Sequence, residues 1–535
     1  MKAYRDTWGK GLDTYVRWFA DTAVLLRDLM SDEGSLYVHI GWQVSGAVRI
    51  VLDEVFGIGG DPGKPGFRNE IAWKATSAHS DSGRYGVNHQ SILFYTKGPK
   101  ATWNDPVGEY DPQYVEAYYR YTDADGRRFK SGDLSAYGLS GGGYTYEWNG
   151  KTRLWRCPKE TMQRLHDEGR IFYTKNGIAR LKGFLDEAVG SPVQTIWADK
   201  AVQYVVSWGD ENTGYDTQKS EGLLKRIISA SSNPGDLVFD CFAGSGTTAA
   251  AAEALGRRWL TADLGRFAIH TTRKRLLAIP DVKPFEVQNL GKYERQAWQV
   301  AEFGERDDVE ARQLAYRGFI LQLYKADPVE ASQWIHGRKA GRWVHVGAVD
   351  SPISTQDVTT IANSLKQLDE SGNRVDVLGW DFAFDINETT KQQAARAGLD
   401  FSFKDIPREV LEPRAVEQGD IQFFELGALG IDSTVESRRL TVTLTDLIVR
   451  QDDIPADARA SITHWSQMLD YWAIDWDFRD DTFHNQWQSY RTRKDPKLDL
   501  KASHTYEEPG DYRVMVKAID ILGNDTTKVF EVTVP

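Results

Sequence analysis

The chain has 535 residues and a net charge of −12, with 41% apolar and 12% aromatic residues. A chain of this length exceeds one compact core and predicts several domains. Its two cysteines, Cys157 and Cys241, provide neither a disulfide framework nor a metal cluster, as is typical of a reducing cytoplasm. No signal peptide and no apolar run of about 20 residues is visible, which predicts a soluble, cytoplasmic protein.

The first hundred residues alternate between helical and extended patterns. Apolar residues at helical spacing predict two helices, and short apolar runs predict three strands: helices over 15–30 and 44–56, strands over 35–40, 70–74 and 91–95. Residues 1–101 are therefore expected to form one half of an α/β unit. His39 and His89 lie in this half, and a structural role is favoured over catalysis for both.

A segment of different character follows, over residues 102–208. Between Arg120 and Lys182, thirteen Lys and Arg residues accompany seven Asp and Glu residues, which leaves +6 in an acidic chain. Nine aromatic residues lie among these charges and a tenth, Tyr119, directly precedes them, and three consecutive glycines, 141–143, predict a mobile loop. Such a composition suits phosphate contact combined with base stacking, and it also suits a solvated insertion with its own small aromatic core.

The most informative stretch joins a strand to a helix through glycines. Leu237-Val238-Phe239 is an apolar strand, and a helix rich in alanine starts shortly after Gly244 and Gly246. The glycines allow a ligand to approach the backbone, and the helix start favours anionic or polar groups. The next strand, 259–262, ends at Asp263, close to the spacing at which an acid binds ribose hydroxyls. Residues 209–300 therefore predict a nucleotide-cofactor half-site.

Two other nucleotide-binding classes share parts of this pattern. No Gly-Lys-Ser/Thr follows the glycines, so a phosphate-loop NTPase is disfavoured. Gly244-x-Gly246-x-x-Ala249 fits the loose dinucleotide fingerprint, which leaves an NAD-dependent oxidoreductase as an alternative. A dinucleotide domain normally begins with its fingerprint, whereas here only one helical stretch, 267–277, follows Asp263 before Pro280 ends the pattern.

This order, together with Asp240-x-Phe242-x-Gly244-x-Gly246-Thr247, resembles the β class of S-adenosylmethionine-dependent DNA amino-methyltransferases, which modify adenine N6 or cytosine N4. The resemblance implies a Rossmann-like α/β core in permuted order, S-adenosylmethionine as cofactor and double-stranded DNA as partner, with adenine favoured. Three positions depart from the usual motif residues, namely Asp216, Cys241 and Ser220. The resemblance assigns the cofactor to nine residues: Thr217, Gln218 and Lys219 at the methionine end, Asp240, Phe242, Gly244, Gly246 and Thr247 around the pocket, and Asp263 at the ribose.

In this family the target-recognition region lies between the two halves of the core, where residues 102–208 lie here. The resemblance therefore favours DNA binding for this insert. The expected DNA contacts are the basic residues of its first part: Arg120, Arg127, Arg128, Lys130, Lys151, Arg153 and Arg156.

The family's catalytic motif, Asp/Asn-Pro-Pro-aromatic after a strand, is missing from this sequence. Its one near match, Asp111-Pro112-Gln113-Tyr114, lacks the second proline and follows no buried strand, so it is expected to be a decoy. The catalytic residues are therefore unknown. Three explanations stay open: a preceding segment not in this sequence, a separate partner, or binding without catalysis.

The remaining residues predict two accessory domains. Over 301–435, strands at 343–347, 374–379 and 401–403 alternate with helices, which predicts a small α/β unit with a parallel sheet. Asp350 and Asp381 follow strand ends, where such sheets place ligand sites. Over 436–535 alternating apolar residues predict an antiparallel sandwich. Its Trp476-Asp477-Phe478 and His504-Thr505-Tyr506 resemble polycystic-kidney-disease (PKD) type immunoglobulin-like domains, which implies scaffolding or protein contact.

Overall fold

The computed structural model describes most of the chain. The described residues are 12–60, 63–78, 83–137, 143–206, 208–303, 309–368, 373–383, 386, 398–411, 416, 421, 423–425, 427–448, 461–479, 482–492 and 495–535. Two predicted features, the first two glycines of the loop at 141–143 and most of the helix after residue 379, lie outside them.

The elements up to residue 277 form the core and its insert. In chain order they are α1 (Leu12–Leu29), β1 (Ser35–Ile40), α2 (Ser45–Phe56), β2 (Gly66–Lys74), β3 (His89–Thr96), β4 (Val107–Gly108), α3 (Pro112–Tyr118), β5 (Tyr121–Thr122), β6 (Arg128–Asp133), β7 (Tyr144–Trp148), β8 (Lys151–Trp155), α4 (Lys159–Asp167), β9 (Ile171–Tyr173), β10 (Ala179–Phe184), β11 (Ser191–Pro192), β12 (Ile196–Trp197), α5 (Glu221–Ser231), β13 (Leu237–Asp240), α6 (Thr247–Ala254), β14 (Arg258–Thr261) and α7 (Arg266–Leu277).

The N-terminal sheet has the order β1-β3-β2-β12, with β3 antiparallel to both neighbours and β12 parallel to β2. Helices α1 and α2 cover one face, where Phe19 and Leu52 pack against Leu93. Helix α5 covers the other face through Leu223, which packs against Trp73. All three predicted strands and both predicted helices of this half are present, within a few residues of the expected bounds.

The second part of the core is a parallel β13-α6-β14 unit, which we call the cofactor sheet. Its alanine-rich helix packs tightly because Ala251 and Ala252 have little side chain to accommodate, and Ile228 of α5 lies against them. Leu224 of α5 contacts the apolar clusters of both sheets, so the two sheets lie side by side under one helix. This α/β arrangement is the Rossmann-like core that the sequence predicts.

In the described part of the chain the core contains two separate sheets, one with β1 at its edge and the other with β13 at its edge. Among the described residues, β1 pairs only with β3, and β13 pairs only with β14. The hydroxyl groups of Tyr37 on β1 and Ser231 at the end of α5 lie 2.6 Å apart. In the described part of the chain, β1 and β13 thus each have one edge without a strand partner, while α5 packs against both sheets.

The insert has its own small sheet, of order β5-β6-β10-β9, and a separate hairpin, β7–β8. Trp155 is fully buried beside Met162 of α4. The aromatic residues of the insert therefore form a core of their own, as one of the two interpretations of its composition expects.

The remaining elements form the two C-terminal units. They are α8 (Gly291–Phe303), α9 (Val309–Tyr324), β15 (Asp327–Ser332), β16 (Ile335–Lys339), β17 (Arg342–Val346), α10 (Thr355–Gln367), β18 (Arg374–Gly379), β19 (Asp400–Asp405), β20 (Phe424–Glu425), β21 (Ala428–Glu436), β22 (Arg439–Ile448), β23 (Leu469–Asp475), β24 (Trp487–Tyr490), β25 (Lys501–Thr505), β26 (Gly510–Asp520) and β27 (Asp525–Val534).

The α/β unit has a six-stranded mixed sheet of order β15-β16-β17-β18-β19-β20. The predicted strands β17, β18 and β19 are parallel, but an antiparallel hairpin, β15–β16, extends the sheet on one side. Helix α10 begins with a capping box between Ser354 and Asp357. The hairpin is not predicted from the sequence, because its polar residues hide the alternation.

The C-terminal unit is a sandwich of two antiparallel sheets, β21-β22-β25 and β24-β23-β26-β27. Alternate residues of each strand face the shared core, where Trp472 and Ile474 pack against Leu440 and Val442. The antiparallel sandwich predicted from the alternating pattern is therefore present.

Candidate functional site

The candidate site is the loop that joins β13 to α6, residues 240–248, which we call the cofactor loop. Gly244 has φ +50° and Gly246 has φ +71°, a conformation that side-chain-bearing residues rarely adopt. A Cβ at Gly246 would lie 2.7 Å from the side chain of Thr272, and one at Gly244 would lie 3.4 Å from the ring of Tyr215. Both positions therefore require glycine, Gly246 the more strictly.

Two carboxylates hold the backbone of this loop. Asp240 accepts hydrogen bonds from the amide of Phe242 at 3.0 Å and from the hydroxyl of Thr248 at 2.6 Å. Asp263, at the end of β14, accepts from the amides of Gly244 at 2.9 Å and Gly265 at 2.8 Å. The predicted ribose acid is thus oriented by the glycine turn itself.

The segment Thr217–Lys219 lies against the cofactor loop. Thr247 donates from its hydroxyl to the carbonyl oxygen of Lys219, 3.1 Å away. The side-chain oxygen of Gln218 accepts from the amide of Thr213 at 2.8 Å, and Thr217 is exposed. Among the nine predicted cofactor residues, Gln218 and the buried Thr247 hold the local structure, whereas the exposed Thr217 and Phe242 are open to a ligand.

An arginine that no sequence motif marks ties the site together. Arg275 of α7 donates to the hydroxyl of Thr247 at 2.8 Å and also contacts Glu211 and Glu221, at 3.3 Å and 3.1 Å. Its side chain is buried. The sequence-based prediction missed this residue, because its partners are 28 to 64 residues away along the chain.

Two buried polar atoms beside the segment 217–219 have no hydrogen-bond partner. They are Nε2 of His39 and Oγ of Ser220. Burial and the positive charge of Lys219 lower the pKa of His39 to about 4, so its imidazole is neutral at neutral pH. Burial also lowers the pKa of Lys219, although Asp240 opposes that effect. Unsatisfied buried atoms of this kind fit a site that receives a polar ligand.

The environment of Cys241, the only cysteine of the cofactor loop, disfavours a nucleophilic role. Burial and the neighbouring charge of Asp240 raise the pKa of Cys241 to about 11. Its thiol therefore stays protonated at neutral pH, and thiolate chemistry at this position is disfavoured.

One face of the cofactor sheet leaves apolar surface uncovered next to the cofactor loop. Leu237 and Phe239 of β13 and Leu260 of β14 are 56%, 39% and 53% exposed. They alternate with Val238 and Trp259, which pack under α5 and α6. Parallel strands are normally covered on both faces, so this face lacks a neighbour within the described part of the chain.

The predicted DNA-contacting residues fall into two groups. Arg127 forms ion pairs with Asp186 and Glu187, and Arg128 pairs with Glu116. These guanidinium groups hold the insert together through local acids. Their charge is therefore largely neutralised.

The other predicted contacts form no ion pair with the acids of the described ranges. Lys151 lies on the β7–β8 hairpin and is exposed, and Arg153 lies 5.7 Å from the ring of Tyr137. Arg156 donates to the carbonyl oxygen of Ser135 at 2.8 Å. The last two are the exposed Arg120, stacked near Tyr121, and Lys130, which lies over the rings of Tyr110, Tyr114 and Tyr119.

The near match to the catalytic motif is a helix start. Asp111 caps α3, and its side chain accepts from the amide of Gln113 at 2.6 Å. Pro112 occupies the first helical position, where proline is common. This geometry agrees with the interpretation of Asp111–Tyr114 as a decoy.

The α/β unit contains a cavity of about 300 Å³ at the end of β17. Asp350, a predicted ligand position, lies at its edge together with Arg312 and Arg317. The other predicted position, Asp381, forms an ion pair with Arg295 instead. Asp381 is thus not among the residues that line this cavity.

Neither a membrane span nor a metal centre is found in the described ranges. No helix there is long and apolar enough to cross a membrane. No group of three or more His, Cys, Asp or Glu side chains there could hold a metal ion.

The site has a glycine turn between a parallel strand and a helix, and an acid follows the next strand. These features are typical of a Rossmann-like cofactor-binding protein. The DNA methylase family model matches residues 4–274, just over half of the chain. The chain belongs to this family. The PKD domain model matches residues 459–533. Both resemblances drawn from the sequence are therefore confirmed.

Curated relatives agree with this assignment. The chain is 34% identical to the type II methyltransferase M.EcaI of Enterobacter cloacae over 275 residues, which is 49% of this chain and 57% of the relative. It is 29% identical over 269 residues to the type III restriction-modification enzyme StyLTI Mod subunit of Salmonella typhimurium, 46% of this chain and 39% of the relative. The DNA adenine methyltransferase YhdJ of Escherichia coli K12 is 47% identical over 81 residues, 15% of this chain and 26% of the relative. The chain thus spans about half the length of the first of these relatives and less of the others.

Proposed function

We propose that this chain acts as an S-adenosylmethionine-dependent DNA methyltransferase that methylates an exocyclic amine at a specific site in duplex DNA. The observation that carries the proposal is the cofactor loop, braced by Asp240 and Asp263, in a chain of the DNA methylase family. Adenine N6 is favoured as target because one relative is a DNA adenine methyltransferase. The relative that is a restriction-modification Mod subunit supports a restriction-modification or phage-defence role, which we propose takes place in the cytoplasm.

Different residues of the site bind different parts of the cofactor. S-adenosylmethionine supplies an activated methyl group. Asp263 holds the ribose hydroxyls, because two backbone amides already fix its orientation and each carboxylate oxygen can accept a further bond. The first amides of α6 and the backbone at Gly244 and Gly246 line the cofactor. The segment Thr217–Lys219 meets the methionine end, beside the unsatisfied atoms of His39 and Ser220.

The insert binds the duplex and presents the target base. Lys151, Arg153 and the exposed Arg120 contact phosphates, since no carboxylate within the described ranges neutralises them. Tyr137 and Tyr144 are 63% and 51% exposed and offer rings for stacking. Chemistry on an exocyclic amine requires that the base leaves the helix stack.

A second candidate function is a cofactor- and DNA-binding component that is inactive alone. Two observations favour it: β1 and β13 each have an edge without a strand partner in the part of the chain that the structure describes, and Leu237 and Phe239 leave one face of the cofactor sheet exposed. We propose that an extended segment carrying the Asp-Pro-Pro-aromatic motif completes the sheet there. Such a segment comes either from a preceding stretch of the protein or from a partner.

Methyl-transfer and binding measurements test both candidates. Calorimetry with S-adenosylmethionine and with NAD decides the cofactor, and tighter NAD binding would contradict the proposal. D263N should weaken S-adenosylmethionine binding, whereas the matched control D236N should not, because Asp236 lies in the turn before β13 and caps only Asn233. Mass spectrometry of nucleosides after incubation with duplex DNA identifies the methylated base.

The same assay separates the complete from the incomplete enzyme. If the second candidate is correct, the 535-residue chain should bind cofactor but transfer little methyl group alone. Co-expression with a segment that contains an apolar strand followed by Asp-Pro-Pro-Tyr should restore transfer. Full activity of the chain by itself would rule out the second candidate.

A further inference from the structure

Helix α7 lies between the cofactor loop and the C-terminal sandwich and contacts both. On one side, Thr272 lies against Gly246, and Arg275 donates to Thr247. On the other side, His270 and Lys274 reach the sandwich. Helix α7 therefore connects the DNA methylase core to the C-terminal sandwich. The proposed methyl transfer gives the sandwich no role.

The centre of the second contact is Asp470 on β23. One oxygen of its carboxylate, Oδ2, lies 2.8 Å from Nε2 of His270 and 2.7 Å from Nζ of Lys274. The side chain of His270 is 3% exposed and that of Asp470 is 18% exposed. Burial alone would raise the pKa of Asp470, but the hydrogen bond to His270 and the charge of Lys274 outweigh it and keep the carboxylate ionised.

Apolar packing surrounds this charged contact. Tyr471, Ala473 and Ile519 point away from the sandwich core, yet they are 2%, 0% and 1% exposed. Leu277 at the end of α7 packs against them, together with Phe483 and Tyr490 of the sandwich itself. The outer face of a two-sheet sandwich normally meets solvent, so burial of this face shows that it has a packing partner.

A turn of the sandwich meets the other end of the helix. A Cβ at Gly523 would lie 2.8 Å from the amide nitrogen of Phe267 in the first turn of α7, only a few residues after Asp263. The sandwich thus touches α7 at its beginning through Gly523, in its middle through Asp470, and at its end around Leu277.

We propose that the C-terminal sandwich is a positioning domain for the cofactor site, with Asp470 as its principal positioning residue. Asp470 and the turn at Gly523 hold α7, and α7 holds the cofactor loop through Thr272 and Arg275. The cofactor part of this inference rests on the proposed function, because it concerns S-adenosylmethionine binding at that loop. Since coupling between sites is reciprocal, cofactor binding should in turn stabilise the contact between α7 and the sandwich.

The first test needs no ligand and no assigned function. Hydrogen–deuterium exchange of the full chain is compared with that of D470A and of D511N, a control in which an exposed acid of the same sheet is neutralised away from α7. D470A should speed exchange at residues 243–247 and along α7 by about tenfold, and D511N should leave both unchanged. Unaltered exchange in D470A would overturn the proposal.

The second test measures cofactor affinity at a temperature where circular dichroism shows each variant folded. D470A should weaken S-adenosylmethionine binding about three- to tenfold with unchanged DNA affinity, and D470E should recover much of the loss. A purely structural role would lower the melting temperature and leave the affinity of the folded protein unchanged, which would contradict the inference.

The third test uses the unaltered protein, so folding of a variant is not an issue. Saturation with S-adenosylmethionine should slow exchange in β23 and in the turn 521–524 as well as in the cofactor loop. If the cofactor slowed exchange in the cofactor loop and α7 but not in β23 or the turn 521–524, the result would count against the coupling. If the unaltered chain bound no S-adenosylmethionine, the proposed function would be refuted. Faster exchange in D470A would still support the contact of Asp470 with the cofactor loop through α7.

Discussion

Arg275 donates a hydrogen bond from Nη1 to the hydroxyl of Thr247, 2.8 Å away, while Nη2 of the same guanidinium contacts Glu211 and Glu221. One buried side chain therefore joins the start of α6, the loop before α5 and the helix α7. The ion-pair network around Arg275 therefore stabilises the cofactor loop in addition to the hydrogen bonds within the loop.

Replacement of Arg275 tests this network. R275M should cost roughly 1–3 kcal/mol of unfolding free energy, because the two glutamates lose a partner but stay about one third exposed to water. It should also weaken S-adenosylmethionine binding about tenfold. The control is R258M, since Arg258 is exposed and its side chain donates to the carbonyl oxygen of Gly235 rather than to an acid. Equal effects of both changes in urea titrations and calorimetry would exclude the network's role.

Gly246 allows a sharper test of the loop geometry. G246A combines backbone strain at φ +71° with a contact of 2.7 Å to Thr272. G256A is the matched control, because Gly256 has φ +69° and no atom lies within 4 Å of the place where an alanine Cβ would stand. Strain alone costs about 1–2 kcal/mol, and overpacking adds about 1–3 kcal/mol. We expect calorimetry and urea titrations to show G246A as the less stable variant and as the only one that abolishes cofactor binding.

The α/β unit should lose stability in mild acid through two histidines, the buried His345 and the half-buried His336. Burial lowers the pKa of His345 to about 4, and burial with the charge of His345 lowers that of His336 to about 3. Both values lie below the ordinary value of about 6.5, so the unfolded chain binds more protons between these limits. Stability is therefore complete above about pH 7 and falls as the pH drops through 6 towards 4.

The slope of this loss can be measured with one variant. H345N keeps a donor for the carbonyl oxygen of Trp334, which Nδ1 of His345 contacts at 2.8 Å, but cannot bind a proton. Urea unfolding of the unit, followed by tryptophan fluorescence, should show a pH slope smaller by up to about 1.4 kcal/mol per pH unit between pH 6 and 4.5. An unchanged slope would mean that His345 is not the group responsible.

The two groups of basic residues in the insert should differ in DNA binding. K151A and R153A each remove a charge without an acidic partner in the described ranges, so each should weaken duplex binding and reduce the salt dependence of log Kd by about one. R127A should change the salt slope little, because Asp186 and Glu187 already neutralise this residue. Fluorescence anisotropy at several salt concentrations makes the comparison. If R127A changed the salt dependence of log Kd more than K151A and R153A did, Arg127 rather than Lys151 and Arg153 would be the phosphate contact.

The sequence was most informative where local pattern decides the structure. Strands such as Ser35–Ile40 and Leu237–Asp240 follow from apolar runs, and the positive φ angles of Gly244 and Gly246 follow from a turn that excludes side chains. The same reasoning identified Asp263 from its distance along the chain. These features depend on residues that lie within one strand–helix–strand unit.

Features that depend on distant partners could not be predicted. Arg275 is an ordinary helical arginine until Glu211 and Thr247 are brought to it. The charge of Arg127 looked available for DNA until folding placed Asp186 beside it, 59 residues later. The polar hairpin β15–β16 was overlooked because its stability comes from pairing with β17 rather than from its own alternation.

The contact between His270 and Asp470 spans 200 residues, which has a consequence for biosynthesis. At about 5–20 residues per second, roughly 10–40 seconds separate the emergence of α7 from that of β23 on the ribosome. During that interval the nascent helix has only its cofactor-side neighbours. Premature termination anywhere between α7 and β23 would leave a fragment that includes the whole DNA methylase match but exposes Leu277 and the buried ring of His270 to chaperones and proteases.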